Sequence, residues 1–401
     1  MDILMVAPYF GNIEQLNQSN NRFVYLAELL AREHTVEVLT TSFVHAKKRQ
    51  AEGIPAEYQG LTITALSEPG YPQNICLRRF YSHKILAEHM KAYLKNRKKP
   101  DVIYCAVPPL ACAYAVTKYA KRNGVPLILD IQDLWPEAFK MVFRVPILKD
   151  ICFSPMNWKA NYIYSCADHI IGVSKTYCER AKKVNCRAPA TPVFIGTSLK
   201  TFDANVKRNL ITRTDDKLVL GYCGTLGHSY DLSCVFDALQ NVQARGYDNV
   251  ELWVMGRGPL EEHFRKYAEE KSVNVKFLGW MPYEQMCGAL SACDVCVNPI
   301  RKGTAASIIN KHADYAASGL PVINTQETAE YRTLVDRYRC GINCDCEDSQ
   351  SVADAIVYMA EHKTERKQMG QNARYMAEQL FDRKKTYLEI VNLLNEIGCD
   401  I

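Results

Sequence analysis

The chain has 401 residues, 48% hydrophobic and 23% charged, a balance that fits a soluble globular protein with room for two domains. No apolar run of about 18 residues occurs and the opening MDILMVAPYF carries no basic leader, so neither a transmembrane helix nor a signal peptide is expected. Charge is uneven: 25 Lys+Arg stand against 16 Asp+Glu through residue 198, and 24 against 28 after it, so an anionic surface or ligand is expected only in the first half.

In chain order, DILMVAPY predicts a first strand. The helix NNRFVYLAELLAREH follows, with Phe23, Leu26, Leu29 and Leu30 on one stripe. Then come the strand TVEVLTT, the strand DVIYCAV, a helix through LACAYAVTKYAKRNG and the strand PLILDIQD, with ADHIIGVS and TPVFIGTS as further strands. Near-continuous apolar strands alternating with amphipathic helices predict a parallel sheet covered on both faces. The pattern restarts near residue 217. KLVLGYCGTLG, VELWVMGRG, VNVKFLGW, ACDVCVNPI and GLPVINT are strands, with DLSCVFDALQNVQARG and LEEHFRKYAEEKS as helices between the first three. The expectation is α/β: two Rossmann-like, doubly wound domains facing across a cleft. Residues 1–198 form the first, 199–380 the second, and 381–401 hold a final helix that either stays with its own domain or returns to the first. The polar stretch 198–216 is expected to be a linker.

The 16 cysteines are scattered singly through apparent strands and helices, as reduced cytosolic Cys is. CGINCDC lacks a fourth ligand at a recognisable spacing, and no Walker A loop, GxGxxG fingerprint or DxD pair occurs, so no metal site or resident cofactor is expected.

Ligands of open α/β sheets bind beyond the carboxyl ends of the strands, so those ends hold the candidates. Gly11 in PYFGN, Gly224 and Thr225 in CGTLG, and Arg257 in MGRGP lie at three of them. DIQDLWPEAF places Asp130 and Asp133 after a strand. Asp133 reads either as a group that orients or deprotonates a hydroxyl or as a helix N-cap. In RKGTAASIINKHADYAASGLPVI a small-residue loop with Arg301 and Ser307 leads into a helix starting near Asn310. The helix N-terminus favours phosphate, and Lys311 adds a full charge there. Asp314 lies on the same face and is suited to accept hydrogen bonds from a vicinal diol such as ribose. A solvated i,i+3 Lys–Asp pair is the competing reading. LRRFYSHKILAEHMKAYLKNRKKP (77–100) holds eight Lys/Arg and one acid, with Phe80, Tyr81, Ile85, Leu86, Met90 and Leu94 interleaved. It is either an ordinary basic face or, through Arg78, Arg79, Lys84, Lys91 and Lys95, a surface for an anionic membrane or acceptor. KMVFRVPILKDICFSPMNW (140–158) adds apolar residues to it.

Together these segments resemble a GT-B glycosyltransferase of the large retaining family 4, and DLWPE with NK…DY…GLPV resembles the bacterial enzymes of O-antigen and capsule assembly. The resemblance implies a metal-independent transferase moving a sugar from a nucleotide sugar, a UDP-sugar first, to a glycan or polyprenyl-diphosphate-linked saccharide. It implies a cytoplasmic place at the inner face of the cell membrane and no nucleic-acid partner. Asp314 falls on the second of two family Glu residues, which holds the ribose, and the first falls on Ala306. The family Arg and Lys that neutralise the diphosphate are replaced around Thr225 and Tyr230, which leaves Lys311, Arg301, Lys302 and Gly11 for that task. The family His-Asp pair corresponds to Gln132-Asp133, which gives Asp133 an acceptor-side catalytic role beside Lys311. A sugar-nucleotide epimerase and a degenerate, non-catalytic binding module are the alternatives.

Overall fold

Strand Asp2–Val6 has Ile3, Leu4, Met5 and Val6 all fully buried, which is why it reads as one apolar run with no alternation. In the computed structural model, which describes residues 1–18, 20–140, 146–304 and 307–399, this strand is near the middle of an eight-stranded sheet. The order is Ala190–Pro192, His169–Gly172, Leu127–Ile131, Val102–Val107, Asp2–Val6, Thr35–Thr41, Leu61–Leu66 and Glu57–Tyr58. All pairings are parallel except the last, a short antiparallel return at the edge. Helix Arg22–Leu30 begins at Asn21, whose side chain accepts from the Phe23 N–H, and turns Phe23, Leu26, Ala27 and Leu30 inward. The strand Leu61–Leu66 was not among the expected elements. Its sequence, LTITAL, alternates and is short.

A second sheet runs Val275–Gly279, Val250–Met255, Leu218–Cys223, Val295–Asn298, Val322–Asn324 and Gly341–Asn343, all parallel. The chain divides into two units. One is Met1–Phe194 with Thr386–Ile401, and the other is Ile195–Lys385. The last helix, Leu388–Cys399, belongs to the first unit, where Ile390 and Leu394 join the core with Tyr387. The expected linker at 198–216 is corrected in part. Leu199–Arg208 is a helix of the second unit, capped by Ser198, with Leu199, Phe202 and Asn205 buried at helical spacing. Its polar composition hid a short buried face of two apolar residues and Asn205.

Candidate functional site

In the second unit, the helix Asn310–Ala317 starts beyond the carboxyl end of strand Val295–Asn298. Ile309 precedes it and offers no capping side chain; His312 Nδ1 accepts from the Ile309 N–H at 3.3 Å, and the N–H groups of Asn310 and Lys311 keep no side-chain partner among the described residues. Ala313, Ala316 and Ala317 are buried against the unit, as small residues permit, and Gly319 (φ 69°) ends the helix.

Lys311 is buried, not solvated, which corrects the surface ion-pair reading. Its Nζ has no hydrogen-bond partner among the described residues. It lies 4.1 Å from the Tyr222 ring centroid and 3.8 Å from that of Tyr230, between two rings set edge to face. Burial pulls its pKa down to about 7, with Cys223 opposing. A Cβ on Gly224 would come within 3.0 Å of Nζ, and the φ of 138° there is one that glycine alone adopts easily, so the ammonium meets bare backbone. Asp314 does not pair with Lys311. Its Oδ1 accepts from the Tyr283 hydroxyl at 2.7 Å, and Thr197 Oγ1 is 2.7 Å from the same hydroxyl. Burial raises the Asp314 pKa to about 6. Tyr315 fastens the helix to two strands, accepting from Cys223 N–H at 3.2 Å and donating to the Val297 carbonyl at 3.0 Å.

Below the helix start lies a buried polar ladder that sequence reasoning missed. Asn298, Asn324 and Asn343 stand in register on three neighbouring strands, linked at 2.8 Å each. His312 is 3.2 Å from Asn298 and stacks on Tyr331 at 3.4 Å. Gln326 Nε2 donates to the Ser307 carbonyl at 2.5 Å. The three asparagines at successive strand ends were a visible signal, but it needed the pairing order to be read.

The remaining candidates fall differently. Thr225, Arg257, Arg301 and Asn310 are exposed at strand ends or the helix start, and Arg301 lies 4.0 Å from Asp231. Ser307 is buried and donates to Glu330 at 2.7 Å, so its hydroxyl is engaged internally. Ala306 lies outside the described residues.

In the first unit, Gly11 is exposed with φ 107° in the loop after the first strand. Asp133 Oδ1 accepts from its neighbour Leu134 N–H at 2.9 Å and Oδ2 from the Trp135 indole at 3.1 Å. Burial raises its pKa, against the pull of those bonds and of Arg79. Asp130 is engaged internally. It is fully buried, with Arg22 at 2.8 Å, Tyr104 at 2.6 Å and Gln132 at 2.6 Å. The basic helix, Leu77–Asn96, also needs correction. Arg79 is buried, and Leu86, Met90 and Leu94 face the core, not a membrane. Arg78, Lys84, Lys91 and Lys95 are exposed, alongside Leu77 and Tyr81, which are 87% and 57% exposed. Of 140–158, positions 141–145 lie outside the described residues, and Trp158 is exposed. Among the described residues no helix is long and apolar enough to cross a membrane, and no group of three or more His, Cys, Asp or Glu is placed to hold a metal.

Two parallel, doubly wound units of this kind are the architecture of GT-B glycosyltransferases. Residues 19–194 match the model of the glycosyl transferase 4-like domain, and residues 217–362 match that of glycosyl transferases group 1. The chain is 21% identical over 316 residues to WcaI of Escherichia coli (strain K12), named as a colanic acid biosynthesis glycosyl transferase, covering 74% of each chain. Its fold matches Anabaena Alr3699/HepE in complex with UDP-glucose at TM-score 0.67 and 16% identity, over 99% of this chain and 100% of that one. It also matches WaaG, a glycosyltransferase involved in lipopolysaccharide biosynthesis, at TM-score 0.65 and 15% identity, over 96% and 99%. The chain belongs to the family 4 glycosyltransferases of GT-B fold.

Proposed function

We propose that this glycosyltransferase takes its nucleotide-sugar donor, a UDP-sugar, on the second unit, at the helix Asn310–Ala317, and passes the sugar with retention to an acceptor held by the first unit. The observation that carries the reading is Lys311, an ammonium buried without a hydrogen-bond partner among the described residues, beside the bare Gly224 backbone and in the first turn of a helix. A buried charge with no counter-charge is costly, and a diphosphate would supply two. Lys311 thereby takes the part of the family's missing Arg and Lys, and with the helix N–H groups it stabilises the leaving nucleoside diphosphate. This charge compensation calls for no metal. Asp314, fixed by Tyr283, accepts the ribose hydroxyls. The acceptor hydroxyl attacks from the face the nucleotide leaves, with Asp133 orienting it. The HepE structures in complex with UDP and with UDP-glucose support UDP as the nucleotide.

The acceptor we infer is a polyprenyl-diphosphate-linked saccharide of envelope polysaccharide synthesis, in keeping with the colanic acid and lipopolysaccharide relatives. Arg78, Lys84, Lys91 and Lys95, with Leu77 and Tyr81 outward, form the surface that meets anionic lipid from the cytoplasmic side.

A thermal-shift panel of nucleotides and nucleotide sugars tests the donor. A rise in midpoint with UDP or a UDP-sugar, lost in Lys311→Ala and in Asp314→Ala, is expected. Purified protein that releases no nucleoside diphosphate with any donor and lipid acceptor would sink the transferase reading. Donor conversion without acceptor would favour an epimerase.

A further inference from the structure

Four of the strand ends of the first unit converge on a cluster that the proposed chemistry leaves unused. Tyr9 follows strand Asp2–Val6. His45 and Lys48 lie in the hairpin Phe43–Val44 with Arg49–Gln50, just after Thr35–Thr41. Tyr71 follows Leu61–Leu66, and Trp135 follows Leu127–Ile131. The first turn of helix Leu77–Asn96 brings Arg79 into their midst.

Two cations share one buried ring. Lys48 Nζ is 5.1 Å and Arg79 Cζ is 5.4 Å from the Tyr71 centroid. Arg79 also lies 4.7 Å from the Trp135 ring and 5.9 Å from that of Tyr9. Like charges this close repel, and a buried cation normally keeps a carboxylate beside it. Neither has one. Arg79 donates to the Asn74 carbonyl and to the Tyr9 hydroxyl, both at 2.8 Å, and Lys48 donates to the Asn74 side chain at 2.5 Å. The nearby carboxylates are engaged elsewhere. Glu68 accepts from Thr41 at 2.7 Å and from Ser82 at 2.5 Å, and Asp133 accepts from its own turn.

Free donors remain. Arg79 is 8% exposed, and its Nε is buried with no partner among the described residues. His45 Nδ1 lies 2.6 Å from the Tyr71 hydroxyl and 3.3 Å from Lys48 Nζ. An ammonium can only donate, so Nδ1 is an acceptor and the neutral ring carries its proton on Nε2. Burial, then Lys48 and Arg79, hold His45 near a pKa of about 3, so the ring stays neutral; burial, then Arg79, lower Lys48 to about 8.

We propose that Lys48, Arg79 and the Nε2–H of His45 form an anion subsite at the carboxyl edge of the first unit's sheet that takes the diphosphate of the acceptor, while the Tyr71 hydroxyl donates to His45 Nδ1 and the Tyr9 hydroxyl accepts from Arg79. The assignment of that diphosphate to the acceptor rests on the transferase reading; the subsite itself does not. A diphosphate fits better than a carboxylate because it brings two charges to two cations and enough oxygens for several donors set around it.

The test is titration calorimetry of the full chain with inorganic pyrophosphate. The Lys311→Met background keeps the second unit from contributing. Binding persists in Lys311→Met, falls at least tenfold in Lys311→Met with Lys48→Gln, and recovers when Lys48→Arg replaces Lys48→Gln. Lys48 is half-exposed and reaches the cluster from a hairpin, so an unchanged melting midpoint in the double variant separates lost binding from lost fold. Equal affinity with and without Lys48→Gln, or no binding in Lys311→Met alone, overturns the proposal. So does a Lys48→Gln effect confined to vesicles of phosphatidylglycerol in phosphatidylcholine with pyrophosphate binding unchanged, since the cations would then serve a lipid surface. Nucleoside-diphosphate release is scored separately. Its absence with pyrophosphate binding intact sinks the transferase reading and leaves the subsite.

Discussion

Two buried cations in this protein have opposite surroundings. Arg22 in the first unit has Asp130 at 2.8 Å and also donates to the Val193 and Phe194 carbonyls at 2.8 and 3.2 Å. Burial pulls its pKa down, but Asp130 with Tyr387 and Tyr104 more than offsets this and holds it above the ordinary value. Lys311 in the second unit has two tyrosine faces and no anion, and it titrates near neutrality. A buried charge completed from within is part of the framework. One left incomplete is, on the reading proposed above, the place where a ligand binds. Each prediction below tries to break that distinction.

The largest effect is expected at the complete pair. Asp130→Ala leaves Arg22 buried and uncompensated, and should destabilise the first unit by about 3–5 kcal/mol. Denaturant unfolding followed by circular dichroism measures it. A loss under about 1 kcal/mol would mean that the pair is not the framework element its burial indicates.

At the incomplete site the signs diverge. Lys311→Met removes an ammonium that folding strips of water, so the unliganded protein should melt higher. Nucleotide-diphosphate affinity and turnover should nevertheless drop by about a hundredfold, some 2.7 kcal/mol, as when one aimed donor is removed from a charge-stabilising site. The stability gain has a pH signature. Between about 7 and the ordinary Lys value of 10.5, the unfolded chain holds a proton on Lys311 that the folded chain does not, so wild-type stability climbs with pH across that window. The advantage of the Met variant is therefore greatest below pH 7 and fades by pH 10. A constant difference in melting midpoint from pH 6 to 10 would contradict a buried, depressed Lys311.

How much of this was legible depends on the range of the signal. The small-residue helix ending at Gly319 placed Lys311 and Asp314 from neighbouring letters alone, because helix start, spacing and stop are local. The burial of Lys311 was not legible, because Tyr222 and Tyr230 come from a strand and turn far earlier in the chain. Arg79 is a different kind of miss. Leu94, Met90, Leu86 and His83 mark a stripe at spacings of three and four that runs back to Arg79 and skips Arg78. Periodicity could have sent one arginine inward and the other outward, whereas composition alone put both on the surface. Asp130 and Asp133 flank a strand end in the same way. Pleat and pairing, which the sequence does not spell out, sent Asp130 to Arg22 and left Asp133 in the turn.

The pH dependence of binding gives a smaller but sharper test. The lower phosphate ionisations of UDP are complete by about pH 7, so a further change above that pH reports the protein. UDP affinity should fall as Lys311 loses its proton between pH 7 and 9, by no more than tenfold per unit, and Lys311→Met should lack this slope. If wild type and variant show the same slope in calorimetry, another group is titrating and Lys311 does not meet the diphosphate.

The smallest effect probes what stands in for the missing anion. A ring face contributes about 0.5–2 kcal/mol to a nearby cation, which is less than a carboxylate supplies at Arg22 and too little to hold Lys311 at its solution value. Tyr230→Leu removes the nearer ring and keeps the site apolar, so the protonated form loses support and the midpoint of the binding profile should move to lower pH by a fraction of a unit. Tyr230→Phe keeps the face and should leave the midpoint in place. Equal shifts in the two variants would assign the effect to the hydroxyl instead. Lys311 would then be tuned by burial alone, and the contrast with Arg22 would reduce to one cation with an acid beside it and one without.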